Sequence, residues 1–251
     1  MAINSERLDD RVALVTGASS GIGEATAEAL AAEGASLALA ARREDELTDL
    51  ADRLASEGVE TLVVPTDVTD EEQVENMIET TTEEFGRLDI IVNNAGVMLL
   101  EPVIEADRAN FRQMVEVNLL GLMNATHAAL PIMEDQGTGH IVNISSVAGR
   151  QASASGSGYN ATKFGVNGFT EALRQEVNND GIRTTLIEPG IVDTELQDHI
   201  PDDDAQQSVE EWVEEMAPLT GEDIARSIRY AVTQPQHVSV NELLIRPTQQ
   251  G

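Results

Sequence analysis

One stretch decides the fold: Thr16-Gly17-Ala18-Ser19-Ser20-Gly21-Ile22-Gly23, which joins an apolar run at residues 12–16 to an amphipathic run at residues 23–33. Glycines let the backbone turn tightly and approach a ligand closely. The free N–H groups and the dipole at the start of the following helix suit an anion such as a pyrophosphate. A plain strand–helix turn also favours glycine, but a loop directly after a first strand favours a dinucleotide. The predicted contacts are Gly17, Ser19, Ser20, Gly21, Ile22 and Gly23.

The rest of the chain continues this alternation of short apolar and longer amphipathic runs. We predict strands at residues 12–16, 37–41, 61–65, 90–93, 140–145, 184–188 and 243–246. Helices are predicted at residues 23–33, 45–56, 70–85, 108–133, 160–178 and 222–233, and three of them are followed by a glycine suited to a left-handed helix end, Gly34, Gly58 and Gly86. Strands separated by single helices require crossovers and a parallel sheet covered on both faces.

The predicted architecture is a single doubly wound Rossmann-type α/β domain over residues 1–251, with a parallel sheet of about seven strands and helices on both faces. One segment departs from the alternation. Residues 196–218 are polar and acidic around an isolated Trp212, and they are predicted to form a loop-plus-helix excursion from the alternating pattern. Their acidic runs, residues 202–204 and 210–215, lack the glycine-centred loop of a calcium site.

The net charge of −30, from 45 acidic and 15 basic residues, excludes several classes of function. Nucleic-acid phosphates and anionic membrane surfaces would be repelled. With no cysteine there is no disulfide, thiolate nucleophile or cysteine metal site. Residues 1–10 are polar and no apolar run is long enough to span a membrane, so we expect a cytoplasmic protein without a signal peptide. The four histidines are scattered and lack metal-ligand spacing, so no metal site is predicted.

The basic residues are almost all arginine: 14 of the 15 are arginine, and Lys163 is the only lysine. An acidic surface would repel itself in dilute buffer, and salt of about 1 M shortens the Debye length to about 3 Å. This composition resembles that of halophilic proteins from salt-saturated cytoplasm. An ordinary acidic protein with solvated helix faces is the alternative, but acidity alone does not explain the scarcity of lysine.

The end of the second predicted strand indicates which dinucleotide is bound. A carboxylate there would accept the ribose 2′-hydroxyl of NAD, whereas arginine would bind the 2′-phosphate of NADP. The strand ends without a carboxylate and continues into Arg42 and Arg43. These two could instead be helix-entry residues neutralised by Glu44 and Asp45, but guanidinium–phosphate geometry favours NADP(H).

Tyr159 and Lys163 lie four residues apart at the start of a predicted helix, so both side chains project from one face. A free tyrosine has a pKa of about 10 and is a poor base near neutrality. A nearby ammonium stabilises the phenolate and makes tyrosine a competent general acid and base. The spacing alone is common. It becomes informative in a chain that has two tyrosines and one lysine.

Taken together, the motifs resemble the short-chain dehydrogenase/reductase family over nearly the whole chain, in the family's order. The glycine loop matches the cofactor loop, Asp67-Val68 the adenine-contacting pair, and Asn93-Asn94-Ala95-Gly96 the segment after the fourth strand. The catalytic tetrad matches Asn118, Ser146, Tyr159 and Lys163, and the nicotinamide-side loop matches Pro189, Gly190 and Thr194.

The resemblance implies a role for each of these residues. Ser146 would hold the substrate oxygen, Tyr159 would exchange a proton with it, and Lys163 would bind the nicotinamide ribose and lower the pKa of Tyr159. Asn118 would hold a water that links Lys163 to solvent, or would merely be a tolerated polar residue. Asn94 would lie near the nicotinamide ribose. Ser145 is the competing serine, and the family spacing to Tyr159 favours Ser146.

The expected reaction is hydride transfer between NADP(H) and a secondary alcohol or ketone. The C-terminal half is similar to the branch containing 3-hydroxy acid and serine dehydrogenases, which favours a small polar alcohol. Arg150 could pair with a substrate carboxylate or face solvent. A 3-oxoacyl-thioester reductase and a dinucleotide-sensing binding protein remain alternatives. The family also implies a homotetramer, or a dimer, packed through the helices that carry Asn118 and Tyr159.

Overall fold

The computed structural model describes residues 7–250, except the side chains of Glu210, Glu214 and Glu215. The predicted polar start at residues 1–10 and the acidic run at 210–215 therefore lie partly outside the described residues. The strands are β1 (Val12–Thr16), β2 (Ser36–Ala41), β3 (Thr61–Pro65), β4 (Ile90–Asn93), β5 (Gly139–Ile144), β6 (Ile182–Pro189) and β7 (Glu242–Ile245). The α-helices are α1 (Gly21–Ala32), α2 (Glu44–Ser56), α3 (Glu71–Phe85), α4 (Arg108–Val115), α5 (Leu122–Gln136), α6 (Ser157–Val177), α7 (Asp203–Glu215) and α8 (Gly221–Val232).

All seven strands pair in parallel in one sheet, in the order β3-β2-β1-β4-β5-β6-β7. The predicted Rossmann-type α/β fold with a seven-stranded parallel sheet is therefore confirmed. The strand order reverses between β1 and β4, whose register pairs Val15 with Val92. Ligands of open α/β sheets bind beyond the carboxyl ends of the strands at such a switch point.

Alternate residues of the central strands enter two cores on opposite faces of the sheet. Ala13 and Val15 pack with α1, α2 and α8, while Leu14 packs with α3, α5 and α6. The central strands β1 and β4 are thus buried on both sides, which explains why they are almost continuously apolar. Gly34, Gly58 and Gly86 have φ of 98°, 88° and 75°, so the predicted left-handed helix ends are confirmed.

Two regions differ from the predicted elements. The helix predicted at residues 108–133 is interrupted by a π-helical turn at Glu116–Gly121, which separates α4 from α5. The acidic excursion consists of a 3-10 turn, Glu195–His199, followed by α7, and Val192 and Leu219 form a β-bridge across its base. Within residues 7–250, no helix combines the length and apolar character that a membrane crossing needs.

Candidate active site

The glycine loop lies at the switch point and is fastened to the end of β4. Asn94 donates from its side-chain amide to the carbonyls of Thr16 and Gly17, at 3.0 and 3.1 Å. Its backbone N–H donates to Thr16 Oγ1 at 3.0 Å. The neighbouring Asn93 is buried and donates to Thr126 and Asn143, so its described contacts lie inside the fold.

The loop has the shape of a cradle that side chains would fill. Gly17 has φ +65°, and a Cβ there would lie 2.9 Å from the Asn94 amide nitrogen. A Cβ at Gly23 would overlap the Gly17 carbonyl oxygen. Ser20 stands at the N-cap position of α1, yet its side chain makes no capping hydrogen bond. A backbone left bare at a helix N-terminus fits a pyrophosphate, so these residues suit a dinucleotide.

The two arginines after β2 behave differently. Arg43 reaches back over the loop, where its Nη2 lies 2.7 Å from Ser20 Oγ and 3.1 Å from Ser19 Oγ. Nη2 also forms an ion pair with Glu195 Oε2 at 2.9 Å. The Arg42 side chain is exposed and has no hydrogen-bond partner among residues 7–250. Neither arginine forms an ion pair with Glu44 or Asp45 in this part of the chain.

The pair predicted to contact adenine follows β3. Asp67 accepts hydrogen bonds from the backbone N–H and hydroxyl of Thr69, which holds the turn into α3. Val68 packs against Gly121 of the π-helical turn, where a Cβ would lie 2.9 Å from the Val68 carbonyl oxygen. The Val68 side of the crevice is therefore built against the same turn that carries Asn118.

Ser146, Tyr159 and Lys163 converge where β5 ends and α6 begins. The Ser146 hydroxyl lies beside the Tyr159 phenol, close enough to lower its pKa slightly. Lys163 Nζ lies 5.7 Å from the centroid of the Tyr159 ring and donates to the Ile144 carbonyl at 2.9 Å. Ser146 Oγ also accepts from the Ala148 N–H at 3.1 Å, which fixes its rotamer. The i, i+4 spacing on α6 thus brings the phenol and the ammonium onto one face, as expected from the sequence.

Burial sets the protonation of this cluster. It raises the pKa of Tyr159 to about 12, against a smaller lowering by the Ser146 hydroxyl. Burial also lowers the pKa of Lys163 to about 8. The sequence leads us to expect that Lys163 lowers the pKa of Tyr159, but here desolvation of the phenol has the larger effect. Tyr159 is consequently neutral near pH 7 and carries a transferable proton.

The two adjacent serines point in different directions. Ser145 is buried, and its hydroxyl contacts Asn167 Oδ1 at 2.5 Å and the Lys163 carbonyl at 3.3 Å. Its hydrogen bonds thus run to α6. Ser146 is partly exposed and faces Tyr159. Of the two hydroxyls, only that of Ser146 lies beside the phenol.

Asn118 is 1% exposed and lies in the π-helical turn. Its amide exchanges two hydrogen bonds with the backbone of Val97, at 2.7 and 2.8 Å, and donates to Thr162 at 3.2 Å. Such turns are frequent at functional sites because they re-aim a side chain out of the helical repeat. Here the turn places Asn118 between the segment after β4 and α6.

The opposite wall follows β6. Ser146 Oγ lies 3.5 Å from the Pro189 carbonyl, and Gly190 donates to the Ile245 carbonyl at 2.7 Å. The Thr194 methyl group lies against Gly21, 3.1 Å from where a Cβ would stand. Thr194 therefore closes over the glycine loop, and the predicted nicotinamide-side residues line the same crevice.

Arg150 is exposed, as one of the two alternatives from the sequence required, but its guanidinium is held in ion pairs. Its Nε lies 2.7 Å from both carboxylate oxygens of Glu188, which is fully buried, and its guanidinium also pairs with Glu242. Asn167 donates to the same Glu188 carboxylate at 2.8 Å. Arg150 is thus neither free in solvent nor available to a substrate carboxylate. It ties the turn after Ser146 to the strand that ends at Pro189.

Two acidic residues of the site, Glu188 and Glu195, escaped sequence reasoning. Glu188 stands directly before Pro189 in β6, and a carboxylate that follows the apolar pair Leu186 and Ile187 inside a strand is the signal that could have found it. Glu195 pairs with Arg43, which lies 152 positions away in the sequence, and no local sequence pattern predicts such a contact.

Comparisons with known proteins agree with this geometry. Residues 11–205 match the family model described as short chain dehydrogenase. An uncharacterized oxidoreductase of Staphylococcus saprophyticus is 41% identical over 244 residues, covering 96% of this chain and 98% of that protein.

Solved structures extend the match to the fold. The closed form of a serine dehydrogenase complexed with NADP+ has a TM-score of 0.87 at 33% identity, covering 96% of each chain. A short chain dehydrogenase/reductase from Burkholderia phymatum in complex with NAD has a TM-score of 0.88 at 30% identity, covering 95% of this chain and 89% of that one. The chain belongs to the short-chain dehydrogenase/reductase family and is an NAD(P)-dependent oxidoreductase.

Proposed function

We propose that the protein is an NADP(H)-dependent dehydrogenase/reductase that acts on a secondary alcohol or its ketone, with Tyr159 as general acid and base. The observation that carries this proposal is the convergence of three side chains: the Ser146 hydroxyl beside the Tyr159 phenol, and Lys163 Nζ 5.7 Å from the centroid of the phenol ring. A binding protein has no need of a buried phenol aimed at a partly exposed serine. The arrangement therefore supports catalysis over dinucleotide sensing.

The residues divide the chemistry in the direction of ketone reduction. Ser146 Oγ donates to the carbonyl oxygen and orients it toward Tyr159. NADPH, when bound, supplies the hydride to the carbonyl carbon. Tyr159 Oη gives its proton to the developing alkoxide, since burial keeps the phenol protonated near neutrality. The Lys163 ammonium, 5.7 Å from the ring centroid, stabilises the resulting phenolate. Asn118 fixes the backbone at Val97 and the helix that carries both groups.

Arginine chemistry supports NADP(H) over NAD(H). Gly17, Gly21 and Gly23 would hold the pyrophosphate, and Arg43 with Ser19 and Ser20 offers donors suited to a 2′-phosphate. Arg42 is exposed at the same strand end. The serine dehydrogenase that resembles this chain carries NADP+, whereas the Burkholderia neighbour carries NAD. The cofactor preference thus rests on the arginines of this chain.

For the substrate we propose a 3-hydroxy acid or a similar small polar alcohol, covered by residues 196–218. The β-bridge between Val192 and Leu219 joins the two ends of this segment. The segment therefore forms a discrete flap beside Thr194. Because Arg150 is held by Glu188, a substrate carboxylate would need another partner. The acidic surface argues against a thioester carried on a phosphopantetheine protein.

We also propose a cytoplasmic, salt-adapted homotetramer. Three exposed apolar side chains, Val115, Leu120 and Phe164, lie on the helical region around Asn118 and on α6. They would be covered if copies of the chain packed through these helices. The net charge of −30 fits a cytoplasm with concentrated salt.

An activity screen tests the proposed function directly. The full-length protein is incubated with NADPH and a panel of simple ketones, 3-oxo acids and 3-oxoacyl thioesters, at 0.1 M and 2 M KCl. The proposal predicts NADPH oxidation with an equal amount of secondary alcohol formed, and faster turnover of 3-oxo acids than of thioesters. Absence of turnover for every ketone at both salt concentrations, despite measurable NADPH binding, would favour the sensing function instead.

A paired substitution tests the cofactor assignment. Replacing Arg42 and Arg43 together by alanine removes both guanidinium groups that follow β2. The Kd of NADPH should rise by at least about tenfold, the loss of roughly one charge-assisted contact, and the Kd of NADH should change little. Equal losses for the two cofactors would contradict the NADP assignment.

A further inference from the structure

The anion site at the glycine loop is engaged by a carboxylate of the chain itself. Glu195 Oε2 lies 2.9 Å from Arg43 Nη2. Arg43 and, to a smaller extent, the Ser20 hydroxyl beside the same carboxylate lower the pKa of Glu195. The carboxylate thus uses the guanidinium and one of the two serine hydroxyls that a phosphate would use.

The donors of Arg43 Nη2 are too few for both anions. Arg43 Nη2 carries two N–H groups, and it already faces Ser19, Ser20 and Glu195. A phosphate that takes this nitrogen and the Ser20 hydroxyl must displace the Glu195 carboxylate, because two anions sharing these donors would also repel each other.

Glu195 is also the first residue of the 3-10 turn Glu195–His199, at the start of the flap. Its neighbour Thr194 already lies against Gly21 of the glycine loop. The ion pair with Arg43 therefore fastens the beginning of the flap to the cofactor loop by a contact that a phosphate would break.

We propose that Glu195 is a specificity-determining residue that competes with the 2′-phosphate of NADP(H) for Arg43 and Ser20, and that the phosphate frees the start of the flap. This inference rests on the proposed preference for NADP(H). Glu195 reduces the advantage of NADP(H) over NAD(H), and cofactor binding is coupled to the position of residues 195–199.

The size of the effect follows from exposure. The Arg43 and Glu195 side chains are 47% and 54% exposed. An ion pair this accessible to water is weak and is screened by salt. Removing the carboxylate should therefore tighten phosphate binding by about two- to fivefold in dilute salt, and by much less in molar KCl.

The test titrates the full-length protein with adenosine 2′,5′-bisphosphate and with 5′-AMP, which lacks the 2′-phosphate. Glu195→Gln is compared with Asp198→Asn, which removes the same charge from the same 3-10 turn. The Asp198 side chain is exposed and has no hydrogen bond or ion pair among residues 7–250. Arg43→Ala reports whether the 2′-phosphate is bound at this site at all.

Glu195→Gln is expected to bind the bisphosphate about two- to fivefold more tightly than wild type at 0.1 M KCl. The affinity for 5′-AMP and the behaviour of Asp198→Asn should stay at wild-type levels, and the gain should shrink at 2 M KCl. No gain, or an equal gain in Asp198→Asn, would overturn the inference. The NADP assignment is tested separately: if Arg43→Ala abolishes the preference for the bisphosphate, the 2′-phosphate binds at Arg43 even when the inference about Glu195 is wrong. If the wild-type protein binds the bisphosphate no more tightly than 5′-AMP, both the NADP assignment and the role of Glu195 are contradicted.

Amide hydrogen exchange supplies a second measurement. Removing a negative charge without releasing the flap would leave the exchange rates of residues 195–200 unchanged. In wild type, the bisphosphate should speed exchange in residues 195–200 relative to 5′-AMP. Glu195→Gln should already exchange at the faster rate without ligand. Unchanged exchange in wild type would contradict the coupling to the flap.

Discussion

Lys163 places its Nζ 5.7 Å from the centroid of the Tyr159 ring, one helical turn away on α6. The chain uses arginine for every other basic side chain. Lys163 is 5% exposed and its ammonium donates to the Ile144 carbonyl. A compact ammonium fits this buried position, whereas a planar guanidinium would not. The single lysine is thus explained by its place beside the phenol.

The buried lysine predicts how stability changes with pH. Its pKa is lowered to about 8 in the folded protein, and it is about 10.4 in an unfolded chain. Between these values the unfolded state binds more protons, so stability rises with pH. The free energy of unfolding of wild type, minus that of Lys163→Met, should increase by about 2 kcal/mol from pH 7.5 to pH 10.

Urea denaturation of the two proteins at several pH values checks this. Measurements end near pH 10, because the raised pKa of Tyr159 makes stability fall at higher pH as the unfolded phenol ionises. A difference that stays constant or decreases over this window would contradict the burial of a charged Lys163.

The buried carboxylate of Glu188 predicts a strongly coupled pair. Arg150→Ala leaves this carboxylate with Asn167 as its remaining described partner. The loss should be about 2 kcal/mol, less than for a fully buried pair because water can reach the position of Arg150. Arg150→Ala combined with Glu188→Gln should recover part of the loss. Arg174→Ala, which breaks an exposed pair with Glu171, is the control and should cost far less than Arg150→Ala.

Chemical denaturation of these variants gives the coupling energy. Strictly additive losses for Arg150 and Glu188 would mean that the pair does not hold the turn after Ser146 to β6.

Two glycines should respond oppositely to alanine. In a helix interior, Gly→Ala normally stabilises by about 1 kcal/mol. Gly168 of α6 is exposed and has open space around it, so Gly168→Ala should show that gain. A Cβ at Gly23 would overlap the Gly17 carbonyl oxygen, so Gly23→Ala should destabilise the protein and weaken dinucleotide binding by tenfold or more.

Thermal unfolding and NADPH titration distinguish the two variants. If Gly23→Ala binds NADPH as wild type does, the close approach within the glycine loop is not needed for the cofactor.

The surface charge predicts a dependence on salt. Screening of a net charge of −30 should raise the Tm by about 5–10 °C between 0.05 M and 1 M KCl, the shift that 2–3 kcal/mol gives in a chain of this size. Sucrose at matched osmolality is the control for solute exclusion. An equal rise of the Tm in sucrose would mean that screening of charge repulsion is not the cause. That result would contradict the proposed salt adaptation.

Local sequence patterns predicted most of the fold. Short apolar runs located all seven strands within two residues at each end. For β1 and β4 the reason is burial on both faces, whereas β3 and β7 are only partly buried. The π-helical turn at Glu116–Gly121 could not be predicted, since Asn118 is turned inward by its contacts with Val97 and Thr162. These partners lie 21 and 44 positions away along the chain.

The part of the site that depends on local spacing was predictable from the sequence. Tyr159 and Lys163 are neighbours on one helix, so their spacing alone aligns them. Arg150 and Arg43 found partners in Glu188 and Glu195, which come from other strands and turns. Such long-range ion pairs depend on the assembled sheet and leave no periodic signal in the sequence.

The central claim is that Tyr159 transfers the proton, and the chain offers a matched control in its other tyrosine. Tyr230 lies on α8 and is 55% exposed. Turnover of a ketone with NADPH is measured for Tyr159→Phe and Tyr230→Phe, together with the Kd of NADPH. We predict a loss of at least about 100-fold in kcat for Tyr159→Phe, the scale of general acid catalysis, with NADPH binding retained and Tyr230→Phe unchanged. Wild-type turnover by a folded Tyr159→Phe protein would contradict the account.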